Sequence, residues 1–383
     1  MKKVLFLQIK GNSAAGVWFV NKQVGEALLD RGYAVENLSI RKGSDVAVSH
    51  DKRMNVSILN EKDPWEIVHK SDILNAIKQG NIFKALKVTI RYLTDHIKLK
   101  RDYRKVKKYI KQKNFDYIIT SHYQLLDAIP KSYLKRTINE HHSSFDNLLT
   151  QKDNLKKFKK YNKKINFLWL CKSSYDKAVE YGYENNHYIY NPIKFVTEKR
   201  ADVTSNKKLI TISRLNAREK RIDLMIDIAN EVLPKYKDWT LELYGDPIVD
   251  DSLLDKINQN PQIRLMGFVD DPKVKLLNAS IYLSTSEFEG FSLSILEAYE
   301  CGLPVVSYNF GESCKEQIID EKTGYVVDFN CKETFIEKLE ILMTDSIKLD
   351  MMSKNAKKRA KSFHIENIIY DWIELFNFIE KGD

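Results

Sequence analysis

The sequence predicts an α/β protein built from two doubly wound parallel sheets, each in a domain of its own. Its 383 residues are more than one hydrophobic core usually serves, and they suit two domains of about 150–200 residues. Short apolar runs alternate with amphipathic stretches along almost the whole chain, which is the order of βαβ units. The apolar runs lack strict alternation, as expected of parallel strands that helices cover on both faces.

These patterns place the individual elements. Strands are predicted at 4–7, 117–120, 167–170, 209–213, 241–244, 263–266, 281–284, 305–308 and 325–327. Helices are predicted at 17–30, 98–113, 223–232, 293–300, 335–343 and 365–380. A polar segment opens at Asn191 and Pro192, and the proline biases Asn191 toward an extended backbone. We therefore predict an N-terminal domain over 1–190, a linker over 191–207 and a C-terminal domain over 208–364.

The charge of the chain divides between its two halves. Residues 1–200 hold 39 Lys and Arg against 20 Asp and Glu, a net charge of +19, whereas residues 201–383 have a net charge of −9. This asymmetry indicates an anionic partner near the first half. The longest apolar runs fall well short of the roughly 18–20 residues that cross a bilayer, and the first run lacks a signal-peptide cleavage site. Four cysteines without metal-ligand spacing favour a cytoplasmic location.

Two basic runs lie in the first half. The run from Lys98 to Lys113 has nine Lys or Arg in sixteen residues, and the run from Lys152 to Lys164 has seven Lys in thirteen. Apolar residues at 99, 103, 106 and 110 have helical spacing, so the first run predicts an amphipathic helix with a cationic face. Two interpretations stay open: a solvated helix surface, or peripheral attachment to an anionic membrane at its inner face. Nucleic acid is not expected, because no nucleic-acid-binding motif accompanies the charge.

The most informative segment begins where strand 281–284 is predicted to end. A loop then carries Glu289 and Gly290, and a helix opens near Ser292 with Glu297 inside it. A glycine-containing turn that leads into a helix N-terminus presents backbone N–H groups and the positive end of the helix dipole, which together suit a phosphate. The two carboxylates have the polarity to accept hydrogen bonds from sugar and ribose hydroxyls.

A second informative segment follows strand 209–213 and carries two cations, Arg214 and Lys220. A guanidinium offers a planar fork and an ammonium offers a point charge, and both suit phosphate oxygens. Fixed cations of this kind also stabilise negative charge that develops on phosphate oxygens during a reaction.

Other candidates follow strand ends, where doubly wound sheets bind their ligands. His141 and His142 follow a further expected strand, and His122 follows strand 117–120. Glycine, aromatic and amide residues after strands are found at Gly16, Gly245, Gly267, Phe268 and Asn309. The acidic pairs at 250–251 and 270–271 each lack a third ligand, so loop or cap positions are expected there and no metal site is predicted.

These segments resemble retaining GT-B glycosyltransferases of the family 4 type, the bacterial glycosyl transferases group 1. Glu289 and Glu297 match the family's Glu-x7-Glu motif. Arg214 and Lys220 match its Arg-Leu…Glu-Lys-Gly segment, with Arg221 in place of the usual glycine. The resemblance implies the GT-B architecture, in which two Rossmann-like doubly wound domains face a cleft and the last helix, within 365–383, returns to the N-terminal domain.

The resemblance also implies a role for each candidate. Glu289 would contact donor-sugar hydroxyls, Glu297 the nucleotide ribose, and Arg214 and Lys220 the diphosphate. His141 would lie near the anomeric carbon, with His142 as the second choice and His122 as the third. Further donor contacts are implied at Gly16, Gly245, Gly267, Phe268, Gly290, Phe291, Ser292, Leu293 and Asn309.

The sequence thus predicts a retaining, metal-independent hexosyltransferase with a UDP-sugar as donor substrate and no required cofactor. Its acceptor hydroxyl would belong to an anionic or lipid-linked glycan, a teichoic-acid-like polymer or a glycoprotein of the bacterial cell envelope. The main alternative is a non-catalytic GT-B-like partner subunit that binds a glycosylated or acidic substrate. A decayed donor motif would mark such a subunit, and all four charged donor residues are present in this chain. An epimerase or a phosphorylase of the same fold is a further alternative.

Overall fold

The computed structural model describes residues 1–11, 16–42, 50–60, 76–78, 82–248 and 250–382. Its contacts divide the chain into two compact units. Unit 1 comprises Met1–Glu140, Lys156–Phe167 and Glu374–Asp383, and unit 2 comprises His141–Leu155 and Leu168–Ile373. The domain limits predicted from the sequence, 1–190 with 365–383 and 208–364, stay a prediction.

The first sheet has seven strands in the order β3-β2-β1-β4-β5-β6-β7, and the neighbours from β3 to β5 pair in parallel. Its strands are β1 (Lys3–Gly11), β2 (Ala34–Lys42), β3 (Asn55–Asn60), β4 (Tyr117–Thr120), β5 (Thr137–His141), β6 (Asn166–Trp169) and β7 (Asn186–Tyr188). The helices along this part of the chain are α1 (Gly16–Leu29), α2 (Ile82–Lys113), α3 (Phe145–Thr150), α4 (Lys152–Tyr161) and α5 (Lys172–Glu180). Short 3-10 helices cover Tyr123–Ala128 and Lys131–Tyr133.

The second sheet has six strands in the order β10-β9-β8-β11-β12-β13, and every neighbouring pair is parallel. Its strands are β8 (Lys208–Ile212), β9 (Thr240–Tyr244), β10 (Ile263–Gly267), β11 (Ile281–Ser284), β12 (Val305–Tyr308) and β13 (Gly324–Val327). The helices are α6 (Val203–Asn206), α7 (Ile222–Val232), α8 (Asp251–Asn258), α9 (Lys273–Leu277), α10 (Leu293–Glu300), α11 (Cys314–Gln317), α12 (Lys332–Thr344), α13 (Ser346–Ala360) and α14 (Ile365–Lys381).

Two parallel sheets with interleaved helices confirm the predicted fold class. The strands predicted at 117–120, 281–284 and 305–308 have the observed bounds. Continuous burial explains why their sequences do not alternate: all four residues of β11 and of β12 are buried, as parallel strands between two helix layers require. The strand order reverses direction at the neighbours β8 and β11, which is where doubly wound sheets bind ligands.

Strand β2 was absent from the sequence prediction because it buries polar residues. Asn37, Ser39 and Arg41 are all buried, so the segment looks like a loop by composition. The guanidinium of Arg41 donates to the buried carboxylate of Asp102 at 2.6 Å, and Asn60 donates to the same carboxylate at 3.0 Å. The tertiary partner on α2 therefore makes a polar strand stable in the core, because a buried charge needs a hydrogen-bonded counter-charge.

Helix α2 confirms the helix predicted at 98–113 and extends it. Val106 and Ile110 are fully buried, while the Lys and Arg side chains of the run are exposed. The predicted start was wrong, because the helix begins at Ile82, sixteen residues earlier. Across the described ranges, no helix is long and apolar enough to cross a membrane.

The end of helix α14 belongs to unit 1. The ring of Phe376 stacks on that of Tyr117 with centroids 4.0 Å apart, and Glu380 forms an ion pair with Lys2 at 2.5 Å. These contacts seat the last turns of the helix beside β1 and β4. The apolar stripe predicted for this segment is thus used against the first sheet.

Candidate functional site

The loop after β8 is shaped to present Lys220. Residues Arg218–Lys220 form a 3-10 turn, and Arg221 then takes a left-handed backbone with φ of 48° as it caps helix α7. Glycine adopts that conformation most easily, which explains why the resemblance expects glycine at the position that Arg221 occupies. The hydroxyl of Thr285, just past β11, donates to the carbonyls of Lys220 and Arg221 at 3.0 and 2.9 Å.

Lys220 and Glu289 come together although 69 positions separate them. The Nζ of Lys220 lies 2.5 Å from Oε1 of Glu289, and both side chains are about 15% exposed. The hydroxyl of Ser286 donates to the same carboxylate oxygen at 2.8 Å. The structure thus joins the predicted phosphate-binding cation to the predicted hydroxyl-binding carboxylate.

Arg214 is placed differently from Lys220. Its guanidinium is 73% exposed and pairs with Glu219 at 2.5 Å, so among the described residues its ion pair is with Glu219 and not with Glu289. A pocket of about 570 Å³ opens on the same loop, and its lining includes Asn216, Arg218 and Glu287. An exposed pair of this kind is weak in water. Arg214 can therefore exchange Glu219 for an anionic ligand at little cost.

Gly290 lies against the backbone that follows the candidate histidine. A Cβ at residue 290 would lie 2.2 Å from the carbonyl oxygen of His142 and 3.0 Å from the amide nitrogen of Ser143. Real Cβ atoms do not come so close, so only glycine fits at this position. Both segments belong to unit 2, and their contact brings the loop of Glu289 beside the His141–His142 turn.

His141 is a neutral imidazole at ordinary pH. Its ring is half-buried and meets Trp169 edge to face, with ring centroids 5.2 Å apart. Burial, followed by the nearby His142, lowers the pKa of His141 to about 4. A neutral ring can donate one N–H to a hydroxyl without bringing a second positive charge. His122 lies in unit 1, where its carbonyl accepts from Leu125 at the start of a 3-10 helix.

At the start of helix α10, one backbone N–H group has a hydrogen-bond partner among the described residues and the next two have none. The N–H of Ser292 donates to the amide oxygen of Gln317 at 2.9 Å, and Gln317 donates back to the carbonyl of Ser292 at 2.9 Å. The N–H groups of Leu293 and Ser294 donate to no atom in the part of the chain that the structure describes. Phe291 stacks on Tyr190 with 5.1 Å between ring centroids, so its ring packs in the core.

Glu297 is a buried carboxylate inside α10. The residue is 8% exposed, and no hydrogen bond to its carboxylate is found among the described residues. Burial raises the pKa of Glu297 from 4.5 to about 7, and the charge of Asp271 adds to this shift while that of Lys194 opposes it. Ionisation of a carboxyl group buried in this way lowers the stability of the folded protein. A hydrogen bond from a ligand hydroxyl would offset that loss.

We expect Glu297→Gln to stabilise the free protein in a pH-dependent way. Between pH 4.5 and about 7 the native state keeps a proton that the unfolded state releases, so wild-type stability falls as the pH rises through this window. The full loss is about 3 kcal/mol at 1.36 kcal/mol for each pKa unit. Urea unfolding should therefore show the glutamine variant more stable than wild type by up to about 3 kcal/mol at pH 8 and nearly equal at pH 4.5. An equal difference at both pH values would contradict this account.

Three strand ends meet at Gly245. A Cβ there would lie 1.9 Å from the carbonyl oxygen of Ser213, and the Gly245 N–H donates to the carbonyl of Gly267 at 3.0 Å. Gly267 has a φ of 74°, and the Phe268 ring that follows is 69% exposed. The ends of β8, β9 and β10 thus form a glycine-lined edge with an exposed aromatic ring beside it.

The remaining predicted residues lie at other strand ends. Asn309 follows β12, donates its N–H to Val327 at 2.7 Å and accepts from the Gly311 N–H at 3.1 Å. Gly16 opens α1 in unit 1, and the loop before it, 12–15, lies outside the described residues. Asp250 caps helix α8, where it accepts from the amides of Ser252 and Leu253, and Asp271 accepts from the amide of Lys273 at 3.1 Å. No group of three His, Cys, Asp or Glu side chains suited to a metal occurs in the described ranges.

Sequence reasoning missed the residues that hold these loops. Besides Thr285, Ser286 and Gln317, the chief one is Glu312, whose side chain is only 3% exposed. Its carboxylate accepts from the amides of Phe145 and Asp146, each at 2.9 Å, and so anchors the helix that follows the His141 turn. An isolated Glu in a loop gives no sequence cue to such a role, because its partners lie 166 and 167 positions away.

Residues 194–359 match the family model described as "Glycosyl transferases group 1". This match covers the loops of Lys220 and Glu289 and the whole of α10. It agrees with the family that the sequence motifs suggested.

Relatives and solved structures extend the comparison beyond this segment. An "Uncharacterized glycosyltransferase" of Haemophilus influenzae is 23% identical over 379 residues, covering 97% of this chain and 99% of that protein. A poly(ribitol-phosphate) alpha-N-acetylglucosaminyltransferase of Staphylococcus aureus is 28% identical in the aligned region. That region covers 62% of this chain and only 49% of that protein. A S. aureus TarM variant crystallised with fondaparinux, alpha-GlcNAc-glycerol and UDP superposes with a TM-score of 0.73 at 16% identity, over 98% of this chain and 100% of that chain. The fold is therefore GT-B.

Proposed function

We propose that the chain is a retaining hexosyltransferase that moves a glucose, N-acetylglucosamine or galactose-type unit from a UDP-sugar to an acceptor hydroxyl. The Lys220–Glu289 pair carries the proposal, because it joins a cation suited to phosphate and a carboxylate suited to sugar hydroxyls in one half-buried contact. The group 1 match over 194–359 supports the transfer chemistry. The UDP bound in the TarM structure supports the choice of donor.

The diphosphate of the donor would bind at the opening of α10. Lys220 exchanges Glu289 for a phosphate oxygen, while the amides of Leu293 and Ser294 donate to the same group at the positive end of the helix dipole. Arg214 leaves its exposed pair with Glu219 and adds a second cation. Glu289, released from Lys220, then accepts from the sugar hydroxyls. Donor binding thus rearranges a pair that already exists in the free protein.

The nucleoside would lie along the glycine-lined edge of the second sheet. Glu297 accepts from the ribose hydroxyls, which gives its buried carboxylate the hydrogen bonds that the free protein lacks. The bare backbone at Gly245 and Gly267 lets the base approach closely, and the exposed ring of Phe268 offers it an apolar face. Asn309 contacts the donor sugar from the end of β12.

The transfer step would proceed on the front face of the sugar. The anomeric carbon–oxygen bond to the diphosphate breaks, the acceptor oxygen bonds to the same face, and the acceptor proton passes to the leaving diphosphate. Neutral His141 donates to a sugar hydroxyl near the anomeric carbon. Lys220 and Arg214 stabilise the charge on the departing UDP, so the reaction is proposed to need no metal.

The acceptor would be an anionic or lipid-linked glycan, a teichoic-acid-like polymer or a glycoprotein. The net charge of +19 over residues 1–200 supports an anionic acceptor. The name of the S. aureus relative, which transfers N-acetylglucosamine to poly(ribitol-phosphate), supports the polymer in particular.

The proposal is tested by incubating the purified chain with UDP-glucose, UDP-N-acetylglucosamine and UDP-galactose, each with poly(ribitol-phosphate) as acceptor. UDP release should depend on both substrates, persist with EDTA, and give an α-linked product by NMR from these α-configured donors. UDP binding without release from any donor would instead favour the non-catalytic subunit. Release of free sugar or its epimer without acceptor would favour an epimerase.

Charge reversal on the cationic face of α2 should weaken use of an anionic acceptor. Lys105, Lys107 and Lys108 are exposed, and clustered lysines attract an anionic surface by roughly 1 kcal/mol each. Their triple replacement by glutamate should raise KM for poly(ribitol-phosphate) at least about tenfold at low salt, with donor KM unchanged.

A matched control reverses three exposed lysines of unit 2: Lys237, Lys322 and Lys358. This control changes the net charge by the same amount as the α2 triple variant. It should leave KM for the acceptor within about twofold of the wild-type value. Equal effects of the two triple variants would mean that overall charge matters and that the α2 face has no special role.

A further inference from the structure

The first half of helix α2 exposes a continuous row of large apolar side chains. Between 54% and 88% of each of six residues is accessible to solvent. They are Ile82, Phe83, Leu86, Ile90, Leu93 and Ile97, here called the α2 stripe. Burying such a side chain is worth roughly 1.5–3 kcal/mol, so leaving six of them in water is costly. A contiguous exposed row therefore indicates a partner surface.

The α2 stripe faces away from the protein. At about 100° per residue, its six members fall within an arc of about 100°. Ala85, Val88 and Tyr92 lie on the opposite side of the helix and are half-buried, as are Asp95 on that side and Thr89 at the margin of the stripe. The helix thus uses one side to pack and turns a second, apolar side outward.

Basic residues accompany the stripe. Between residues 82 and 101 there are six Lys or Arg and one Asp. Lys84, Lys87, Arg91 and Lys98 all fall at about 100–160° from Leu86 around the helix, along one edge of the stripe. An apolar face bordered by cations is the pattern of a helix lying in the interface of an anionic membrane.

The charge pattern favours lipid over a second copy of the chain. Helices that pair with each other use a narrow apolar seam with opposite charges at its edges. Here the stripe is wide and its edge is almost wholly basic, so pairing two copies would bring like charges together. Anionic head groups complement the edge, while the acyl boundary accepts the apolar side chains.

We propose that residues 82–98 lie in the surface of an anionic membrane, with the α2 stripe inserted and the basic edge at the head groups. This goes beyond the proposed sugar transfer and does not depend on it. It also differs from attachment through the Lys98–Lys113 run alone, since the insertion face lies in the preceding half of the helix. Salt would weaken binding by screening the edge but would not abolish it, because the apolar part is unscreened.

The experiment measures cosedimentation of the full chain with vesicles of phosphatidylglycerol and phosphatidylcholine, compared with phosphatidylcholine alone. Wild type should bind the anionic vesicles more tightly than the phosphatidylcholine vesicles. The stripe variant Leu86→Gln/Ile90→Gln/Leu93→Gln should bind them at least about tenfold more weakly, because three inserted side chains lose their burial. Its melting temperature and its UDP release with a water-soluble acceptor should stay unchanged, which separates this result from a failure of the transferase proposal.

The control variant replaces three exposed apolar residues of unit 2, each at least half exposed: Val274→Gln/Ile347→Gln/Met351→Gln. It should bind anionic vesicles as wild type does. A Leu93→Trp variant should gain a blue-shifted emission with anionic vesicles, whereas Ile347→Trp should not. Unchanged binding by the stripe variant would overturn the proposal. So would a wild-type oligomer that the stripe variant converts to monomers, or a lowered melting temperature, because the stripe would then pack against protein.

Discussion

Replacement of Lys220 by methionine is expected to lower UDP-sugar turnover by about 100- to 1,000-fold, the usual loss when one fixed donor to a developing charge is removed. The methionine keeps the length of the side chain but leaves the departing diphosphate with less positive charge. Glu289→Gln should cause a loss of similar size, since the amide keeps the shape of the carboxylate and loses its charge. Initial rates of UDP release, with kcat and KM measured separately, check both variants.

The two losses should multiply. Nζ of Lys220 and Oε1 of Glu289 are 2.5 Å apart in the free protein, but in the proposed complex each residue contacts a different part of the donor. The double variant should therefore lose at least about the product of the two single losses. A double variant that loses no more than the worse single variant would mean that the two residues act as one unit and that the pair is not exchanged on donor binding.

The matched control is the exposed pair between Lys256 and Asp227, with 2.7 Å between its charged atoms. Lys256→Met and Asp227→Asn remove the same kinds of charge from the same unit. They should change turnover by less than about twofold, because exposed pairs contribute little and touch no part of the site.

Gly290→Ala is expected to lower turnover by about 100-fold, with a fall of about 1–3 kcal/mol in the free energy of unfolding. The added methyl would meet the carbonyl oxygen of His142 at 2.2 Å, and a backbone atom cannot move aside by changing rotamer. The loop of Glu289 and the His141 turn would have to separate. Misplacement by about 1 Å is enough for a loss of this size.

Gly382→Ala is the control for this variant, because a Cβ there comes no closer than 3.8 Å to other atoms. It should leave both turnover and the unfolding midpoint unchanged. Steady-state kinetics and urea unfolding of both variants provide the test. Wild-type turnover in Gly290→Ala would show that the contact with His142 does not position the site.

The local pattern of apolar residues was sufficient to predict much of the fold. Strands such as β11 and β12 are short apolar runs between turns, and their burial on both faces follows from the runs themselves. The apolar pattern failed to predict a strand where polar residues are buried. Strand β2 resembles a loop until Asp102 of a distant helix supplies the counter-charge for Arg41.

The candidate site likewise contains residues that the sequence predicted and residues that it did not. Glu289, Glu297, Arg214 and Lys220 were predicted because their residue types suit phosphates and hydroxyls and because their motifs resemble those of the group 1 glycosyltransferases. The residues that hold them, Thr285, Gln317 and Glu312, were not found, because an isolated hydroxyl, amide or carboxylate has no local pattern. Their importance lies in partners that are far apart along the chain, as in the anchoring of the His141 turn by Glu312.

The sequence by itself determined the α/β class, the two series of strands and the charged residues of the donor motif, because each of these depends on residue type and near-neighbour spacing. It also contained the division of charge between the basic and acidic halves. Only the tertiary structure decided that Lys220 is held by Glu289, that residue 290 must lack a side chain, and that the α2 stripe faces outward. Each of these depends on which distant atoms come into contact, and folding alone brings those atoms together.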